Sequence, residues 1–256
     1  MNTSKTWIIA HPEEKIPDPI LGQLDQAIIR LFNGEPLAYI TGTREFFCQP
    51  FFVSPATLIP RPETELMVEN AIQWLQFNPE AKLGADIGTG CGCIAVSIAK
   101  SIPGINFLAV DISYNALQIA RRNILQHGLK NRIHLIQGNC LNFLGGKVDL
   151  ICANLPYIPT RKLNILETTR YEPKIALDGG INGLVLIREL LEKSKLWLQN
   201  PGLLLIEFES GQEDRLFIIA SCYFPSSLIT IHQDLAGKPR LLSITTPACR
   251  NQAEVI

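Results

Sequence analysis

The sequence is short of several things, and each shortage excludes a class of protein. No run reaches the ~18 consecutive apolar residues that a membrane helix needs, and the apolar patch at Trp7 to Ala10 is too short for a signal-peptide core. Neither sign of charge dominates. Lys plus Arg is 23 and Asp plus Glu is 24 in 256 residues, a net −1. That balance gives no footprint for non-specific nucleic-acid binding, and the local cluster Arg121, Arg122, Lys130 and Arg132 reads as a solvated helix face. There are 4 histidines, and Cys91-Gly92-Cys93 has no partner pair at zinc spacing, so no metal site is expected. The 7 cysteines are scattered and odd in number, which argues for free thiols in a reducing compartment and a cytoplasmic protein.

The sequence does contain a strand-turn-helix signal at residues 81 to 92. A short apolar run ends on Asp86, and Gly88, Gly90 and Gly92 follow at alternate positions. Ile94 to Lys100 then carries on as a helix. Glycines admit positive φ and let backbone approach a ligand, and a helix N-terminus supplies unpaired N–H groups. A dinucleotide fingerprint has the spacing Gly-x-Gly-x-x-Gly, which this stretch departs from. The Asp86 carboxylate would repel pyrophosphate and suits the ammonium of S-adenosylmethionine. The stretch alone leaves a dinucleotide, or a glycine turn without a ligand, as alternatives.

Elsewhere the periodicity predicts a helix over about Pro19 to Phe32, whose Leu21, Leu24, Ile28 and Leu31 read as a packing stripe. Residues 36 to 60 read as strand-rich, with Glu45-Phe46-Phe47 and Phe51-Phe52-Val53 flanking a turn at Gln49-Pro50. A helix opens near Pro62 and runs to about Gln76. Strands follow near 82–87, 105–111, 132–138, 147–153, 203–209, 227–233 and 240–246. Helices fill the gaps near 92–101, 114–127, 183–198 and 211–221. The fold class is therefore α/β, a doubly wound, mostly parallel seven-stranded sheet. The connection before the last strand is too short for a crossover, so that strand pairs antiparallel. The expected organisation is a short helical segment over 1–34, a β-hairpin linker over 35–60 and a cofactor-binding domain over 61–256.

Ligands of such sheets bind beyond the carboxyl ends of the strands. Asp111 ends the second strand and can accept both hydroxyls of a ribose, or cap the next helix. Asn139 ends the third and can meet an adenine edge. The fourth ends in Asn154-Leu155-Pro156-Tyr157. The Asn154 side-chain oxygen and the Pro156 carbonyl can each accept a hydrogen from a planar NH₂ group, and Tyr157 can stack on it. Drawing those hydrogens aside aims the nitrogen lone pair and stabilises charge as it builds. The alternative is an Asn-initiated turn.

Asp86 to Gly92 together with Asn154 to Tyr157 resembles a class I, Rossmann-like S-adenosylmethionine-dependent methyltransferase acting on nitrogen. Gly34 to Ile40, Arg44 to Phe47, Leu58 to Glu65 and Tyr171 to Gly180 are similar to the peptide chain release factor glutamine methyltransferases. The resemblance runs from about residue 7 to 246. It implies transfer of a methyl from S-adenosyl-L-methionine to the glutamine side-chain nitrogen of the Gly-Gly-Gln motif in release factors, with S-adenosyl-L-homocysteine as product. It implies that Asp86, Gly88, Thr89, Gly90, Cys91, Gly92, Asp111, Asn139, Cys140 and Asn154 bind the cofactor. Asn154, Leu155, Pro156 and Tyr157 then bind the glutamine amide, with Asn154, Pro156 and Tyr157 catalytic, and Phe46, Phe47 and Arg61 belong to a segment closing over the site. The sequence departs from the family at Leu155, where a proline is usual, and at Asn139-Cys140, where Asp-Trp is common. About 33 residues precede Gly-Glu-Pro, so the N-terminal recognition domain is expected to be shortened. An adenine N-methyltransferase acting on RNA or DNA, and a cofactor-binding relative without activity, are the alternative readings.

Overall fold

The computed structural model describes residues 5–15, 17–139, 145–165 and 167–248. The chain divides into two compact units, Met1–Gly42 and Thr43–Ile256. The hairpin thus begins the second unit.

The first unit holds α1 (Lys5–Ala10), α2 (Asp18–Phe32) and α3 (Leu37–Thr41). A proline in the first turn of α2 and Asn33 past its end match the stop and start signals in the sequence. Helix α3 lies where strand was expected. Pro36 sets its start and Gly42, at φ 71°, ends it in the left-handed conformation. The stripe on α2 is not packed as expected, since none of its side chains is buried. Three short helices supply no second layer to close over it.

The second unit opens with a hairpin, β1 (Thr43–Phe46) and β2 (Gln49–Phe52). Its turn is Phe47-Cys48 and not Gln49-Pro50. Phe46 pairs with Gln49 and Glu45 with Pro50. Both turn residues have positive φ, 49° and 53°, as a two-residue hairpin turn of the primed kind requires. Pro50 is tolerated because the hairpin is a two-stranded sheet with open edges.

A 3₁₀ turn (Pro62–Thr64) leads into α4 (Glu65–Phe77). Then follow β3 (Leu83–Ile87), α5 (Cys93–Ser101), β4 (Asn106–Asp111), α6 (Tyr114–Gln126), β5 (Ile133–Gln137), β6 (Val148–Ala153), α7 (Thr160–Leu163), α8 (Val185–Trp197), β7 (Leu198–Glu207), α9 (Glu213–Tyr223), β8 (Leu228–Gln233) and β9 (Pro239–Thr246). The seven strands β3 to β9 form one sheet in the order β5-β4-β3-β6-β7-β9-β8. Neighbours from β5 to β7 run parallel, and β9 runs antiparallel to both β7 and β8. Strand β7 starts five residues earlier than its apolar run at Leu203 suggests. Gln199-Asn200-Pro201-Gly202 reads as a turn, yet Leu198 pairs with Val148 before a register shift brings Leu203 opposite Leu150.

The central strands are apolar on both faces because helices cover both, and Ala85, Ile87, Ile151, Ala153, Leu204 and Ile206 are fully enclosed with Ile187 and Leu190 of α8. The strand order reverses its direction of growth between β3 and β6. A crevice opens there, at the carboxyl ends of the strands.

Candidate active site

A cavity of about 260 Å³ occupies that crevice. Its walls come from the loop after β3, the end of β4, Gly138 and Asn139 after β5, Asn154 and Leu155 after β6, and the stretch from Ala56 to Thr64 before α4.

The glycine loop is fixed by backbone. The N–H groups of Gly88 and Thr89 both donate to the Val110 carbonyl at 2.9 Å, and Gly92 N–H donates to Thr89 O at 2.8 Å. Gly88, Gly90 and Gly92 have φ of 72°, 55° and 82°, the left-handed region that a side chain disfavours. At Gly88 a Cβ would also come within 3.1 Å of Leu155. The cradle thus depends on glycine for both its backbone conformation and its open face.

Asp86 is fully buried beneath this loop and is not part of the cavity wall. Its Oδ2 accepts from the Thr89 hydroxyl at 2.6 Å and from Ala95 N–H at 3.3 Å, while Oδ1 has no partner among the described residues. Burial raises its pKa to about 6; the hydrogen bonds from Thr89 and Ala95 oppose the rise. Cys91 and Cys93 line the cavity. They, Cys48, Cys152 and Cys222 are free thiols. Cys140 lies outside the described residues.

Asp111 faces the cavity from the end of β4. Its Oδ2 accepts from Gly90 N–H at 2.9 Å and Oδ1 from Ser113 N–H at 2.8 Å. Burial raises its pKa, and these backbone N–H groups restrain the rise. Helix α6 is capped by Ser113, whose hydroxyl accepts from Ala116 N–H at 3.2 Å, which leaves Asp111 free of the capping role. A carboxylate can accept about four hydrogen bonds, so Asp111 keeps lone pairs for a ligand diol. Ile112, Ser113 and Asn139 extend the wall beyond it.

At the other end, the Asn154 side-chain NH₂ donates to the Thr64 hydroxyl at 3.1 Å. Its Oδ1 is then turned the other way, and no donor among the described residues takes it. The Pro156 carbonyl is likewise unclaimed among the described residues. Pro156 and Tyr157 do not line the cavity themselves. They are held behind it: Gln212 donates to the Tyr157 carbonyl at 2.9 Å and the Tyr157 hydroxyl donates to Glu207 at 3.2 Å. Gly179 has to be glycine here, because a Cβ would sit 2.7 Å from the Pro156 oxygen and cover it.

Arg61 lines the cavity and pairs with Glu172 at 2.5 Å. Glu172 is buried, and its second oxygen accepts from Ile59 N–H at 3.1 Å. It therefore pins the 56–61 wall. Phe46 is buried in the hairpin, and neither it nor Phe47 lines the cavity. Thr64, Glu172, Gly179, Glu207 and Gln212 had no individual role in the sequence reading. Thr64, Glu172 and Gly179 fall inside family-like motifs, whereas no sequence signal marks Gln212 or Glu207.

The arrangement suits a nucleoside ligand without phosphates. The walls are mostly apolar, the acid Asp111 stands at the end of β4, and Arg61, engaged by Glu172, is the cation among the lining residues. Next to it lie two free acceptors for a planar NH₂. Fold and site together define a class I, Rossmann-like methyltransferase.

Comparisons with known proteins narrow this. Residues 64–171 match the family described as the methyltransferase small domain, and residues 1–42 match the PrmC N-terminal domain. The release factor glutamine methyltransferase of Escherichia coli strain K12 is 38% identical over 86% of this chain and 79% of its own. That of Moorella thermoacetica is 40% identical over 91% of this chain and 83% of its own. Among solved structures, a ribosomal protein L11 methylase from Lactobacillus delbrueckii subsp. bulgaricus shares the fold, with a TM-score of 0.56 at 20% identity over 76% of this chain and 84% of that one. The chain belongs to the release factor glutamine methyltransferase family and is an enzyme of that family. Among the described residues no helix is long and apolar enough to cross a membrane.

Proposed function

We propose that the protein transfers a methyl group from S-adenosyl-L-methionine to the side-chain nitrogen of the glutamine in the Gly-Gly-Gln motif of peptide chain release factors. The observation that carries the reading is the pair of acceptors left unclaimed among the described residues, Asn154 Oδ1 and Pro156 O, beside a mostly apolar cavity with Asp111 in its wall.

The residues present fit the cofactor. The loop from Gly88 to Gly92 offers close backbone at positive φ for an amino-acid portion. The unpartnered Asp86 Oδ1 gives negative potential beneath the loop for an ammonium. Asp111 suits the ribose hydroxyls, and Ile112 and Asn139 suit the adenine. When bound, the cofactor supplies a methyl already activated by its sulfonium.

The protein's part is positioning and electrostatics. Asn154 Oδ1 and Pro156 O accept the two amide hydrogens of the glutamine, which turns the nitrogen lone pair toward the methyl. As the N–C bond forms and the C–S bond breaks, positive charge grows on the nitrogen and both oxygens stabilise it. The nitrogen then releases one proton to solvent, giving methylglutamine and S-adenosylhomocysteine. Leu155 in place of the usual proline leaves both oxygens where they are needed.

The test offers labelled S-adenosylmethionine together with a release factor, or with ribosomal RNA, and locates the label by mass spectrometry. Label on the Gly-Gly-Gln glutamine is expected. Label on adenine would overturn the reading.

A further inference from the structure

The residue just before a helix ordinarily caps it, and Ser, Thr, Asp or Asn is favoured there because a short side chain reaches the first free N–H groups. Gln212 holds that place before α9 and makes no side-chain cap. It is 8% exposed, and its amide is engaged elsewhere. Oε1 accepts from Glu209 N–H at 3.0 Å, and Nε2 donates to the Tyr157 carbonyl at 2.9 Å. The first partner can only donate and the second can only accept, so the amide has one orientation. Gln212 thus bridges the turn between β7 and α9 to the loop after β6, 55 residues away in sequence.

The surroundings are shaped around this bond. A Cβ on Gly183 would fall 2.1 Å from the Tyr157 oxygen and 2.5 Å from Gln212 Nε2, so glycine is required there, at φ 77°. On the other side of the same peptide, Ile158 N–H donates to the Leu177 carbonyl at 3.0 Å. Tyr157 is also held at its far end, by the hydroxyl bond to Glu207 at 3.2 Å. Carbonyl and hydroxyl together fix the residue whose nitrogen is joined to the Pro156 carbonyl. The pyrrolidine ring sets φ of Pro156 itself.

We propose that Gln212 is a positioning residue for methyl transfer: by holding the Tyr157 carbonyl it fixes the peptide between Pro156 and Tyr157, so that the Pro156 oxygen faces the substrate amide. The proposal rests on the acceptor-site reading above. Gln212 lies outside the cavity wall and acts only through the loop. Without the bridge the Tyr157 carbonyl turns to find another donor, and the peptide before it turns too. One of the two acceptors of the glutamine NH₂ is then misaimed. The glycine loop, tied to Val110 and Asp111, is untouched.

The experiment compares two substitutions in the whole chain, with a release factor as substrate. Gln212→Glu is nearly isosteric. It keeps an acceptor for Glu209 N–H and puts a second oxygen against the Tyr157 carbonyl. Protonation of the new carboxyl restores the donor. That carboxyl is buried, faces a carbonyl oxygen and has Glu207 beyond Tyr157, all of which favour the protonated form, and Glu209 is itself paired with Lys162 at 3.2 Å. At about pH 8 kcat should be about 10- to 100-fold below wild type, and the ratio to wild type should recover as pH falls toward about 6. Gln212→Leu, without a donor at any pH, should show the loss and no recovery. The cofactor dissociation constant from calorimetry should match wild type in both.

A second measurement needs no substrate. Pro156-Tyr157 is the single Pro-Tyr pair in the chain, so proline labelled with ¹³C at the carbonyl and tyrosine labelled with ¹⁵N isolate the amide signal of that one peptide. In Gln212→Glu the signal should be displaced at about pH 8 and return to its wild-type position as pH falls. A kcat ratio that stays flat with pH, a loss carried by cofactor affinity, or a Pro156–Tyr157 signal that ignores the substitution would overturn the proposal. If the wild type methylates no release factor, the functional reading fails, while that signal still decides whether Gln212 sets the peptide.

Discussion

The two ends of the cavity are held together by different means. At the cofactor end the ties are shorter in sequence and are donated by backbone N–H groups, to a backbone carbonyl or to the Asp111 carboxylate. Ile87 is in register with Val110, Gly88 and Thr89 donate to the Val110 carbonyl, and Gly90 donates to Asp111, 21 residues away. At the acceptor end the ties are made by side chains from far apart. Thr64 meets Asn154 across 90 residues, Tyr157 meets Glu207 across 50, and Ile59 meets Glu172 across 113. The cofactor end tolerates most side-chain changes apart from those at its glycines and at Asp111, which holds Gly90 and Ser113. A side-chain-built end is disconnected by one substitution. The difference matches the proposed tasks: one end to hold a constant ligand, the other to aim a single amide.

The largest effect should come from breaking the acceptor end. Asn154→Ala removes one of the two oxygens that stabilise the charge developing on nitrogen, a loss on the order of 10²–10³-fold in kcat. The variant should melt like the wild type, because the Asn154 amide bonds one hydroxyl and supports no backbone. Steady-state kinetics with calorimetry for the cofactor checks this. Normal turnover would remove the amide clamp, and a matching loss of cofactor affinity would show that the two ends are one coupled unit.

Asp111→Ala attacks the other end. It deprives Gly90 and Ser113 of an acceptor and the cofactor of its ribose partner. Hydrogen bonds to a charged group are worth about 1.5–3 kcal/mol, so the cofactor dissociation constant should rise about 10- to 100-fold. At saturating cofactor, kcat should stay close to wild type. An unchanged dissociation constant would exclude Asp111 from the site.

Both ends also carry a buried acid, and these set a pH dependence of stability. Burial raises Glu207 from 4.5 to about 7 and Asp86 from 3.8 to about 6. The folded protein therefore binds more protons than the unfolded chain between those values. Stability is fully present below the unfolded values and is lost as pH rises through the folded ones, the reverse of the salt-bridged acid. Each pKa unit corresponds to about 1.4 kcal/mol, so Glu207 alone should remove roughly 3 kcal/mol between about pH 4 and pH 8. Denaturant melts across that range should show the decline, smaller in Glu207→Gln. A ligand-free wild type whose stability rises steadily toward pH 8 would contradict it.

The same contrast explains what the sequence made legible. The alternation of apolar runs located all seven strands of the sheet, and the Asp86 to Gly92 loop announced itself because its constraints are local: a turn needs glycine wherever φ is positive. Asn154 to Tyr157 was also legible as a motif. The residues that orient it were not, because Thr64 reads as a residue at a helix start and Glu207 as the polar end of the apolar run Leu203 to Ile206. Pairing across a sheet and a helix joins them, and no spacing rule encodes that. The misread turn has a similar origin. Proline marks turns strongly, so Gln49-Pro50 drew the assignment, whereas the strand register places the turn on Phe47 and Cys48, neither of which favours positive φ.

That turn gives the smallest expected effect and tests whether the cofactor end is self-contained. The hairpin is tied to the glycine loop through one side chain. Asn123, fully buried on α6, accepts from Phe52 N–H at 2.7 Å and donates to the carbonyls of Phe52 at 3.0 Å and Cys91 at 2.8 Å. Cys48, exposed and at φ 53°, pays a conformational cost that glycine would not. Cys48→Gly also loosens the unfolded chain, which offsets part of the gain, so the net stabilisation should be less than about 1 kcal/mol. Cofactor affinity should not move, because the loop takes its conformation from Val110 and Asp111 and meets the hairpin through a carbonyl that already has its partner. A dissociation constant that shifted with the hairpin turn would mean that Asn123 transmits strain into the loop. The cofactor end would then depend on distant side chains as the acceptor end does.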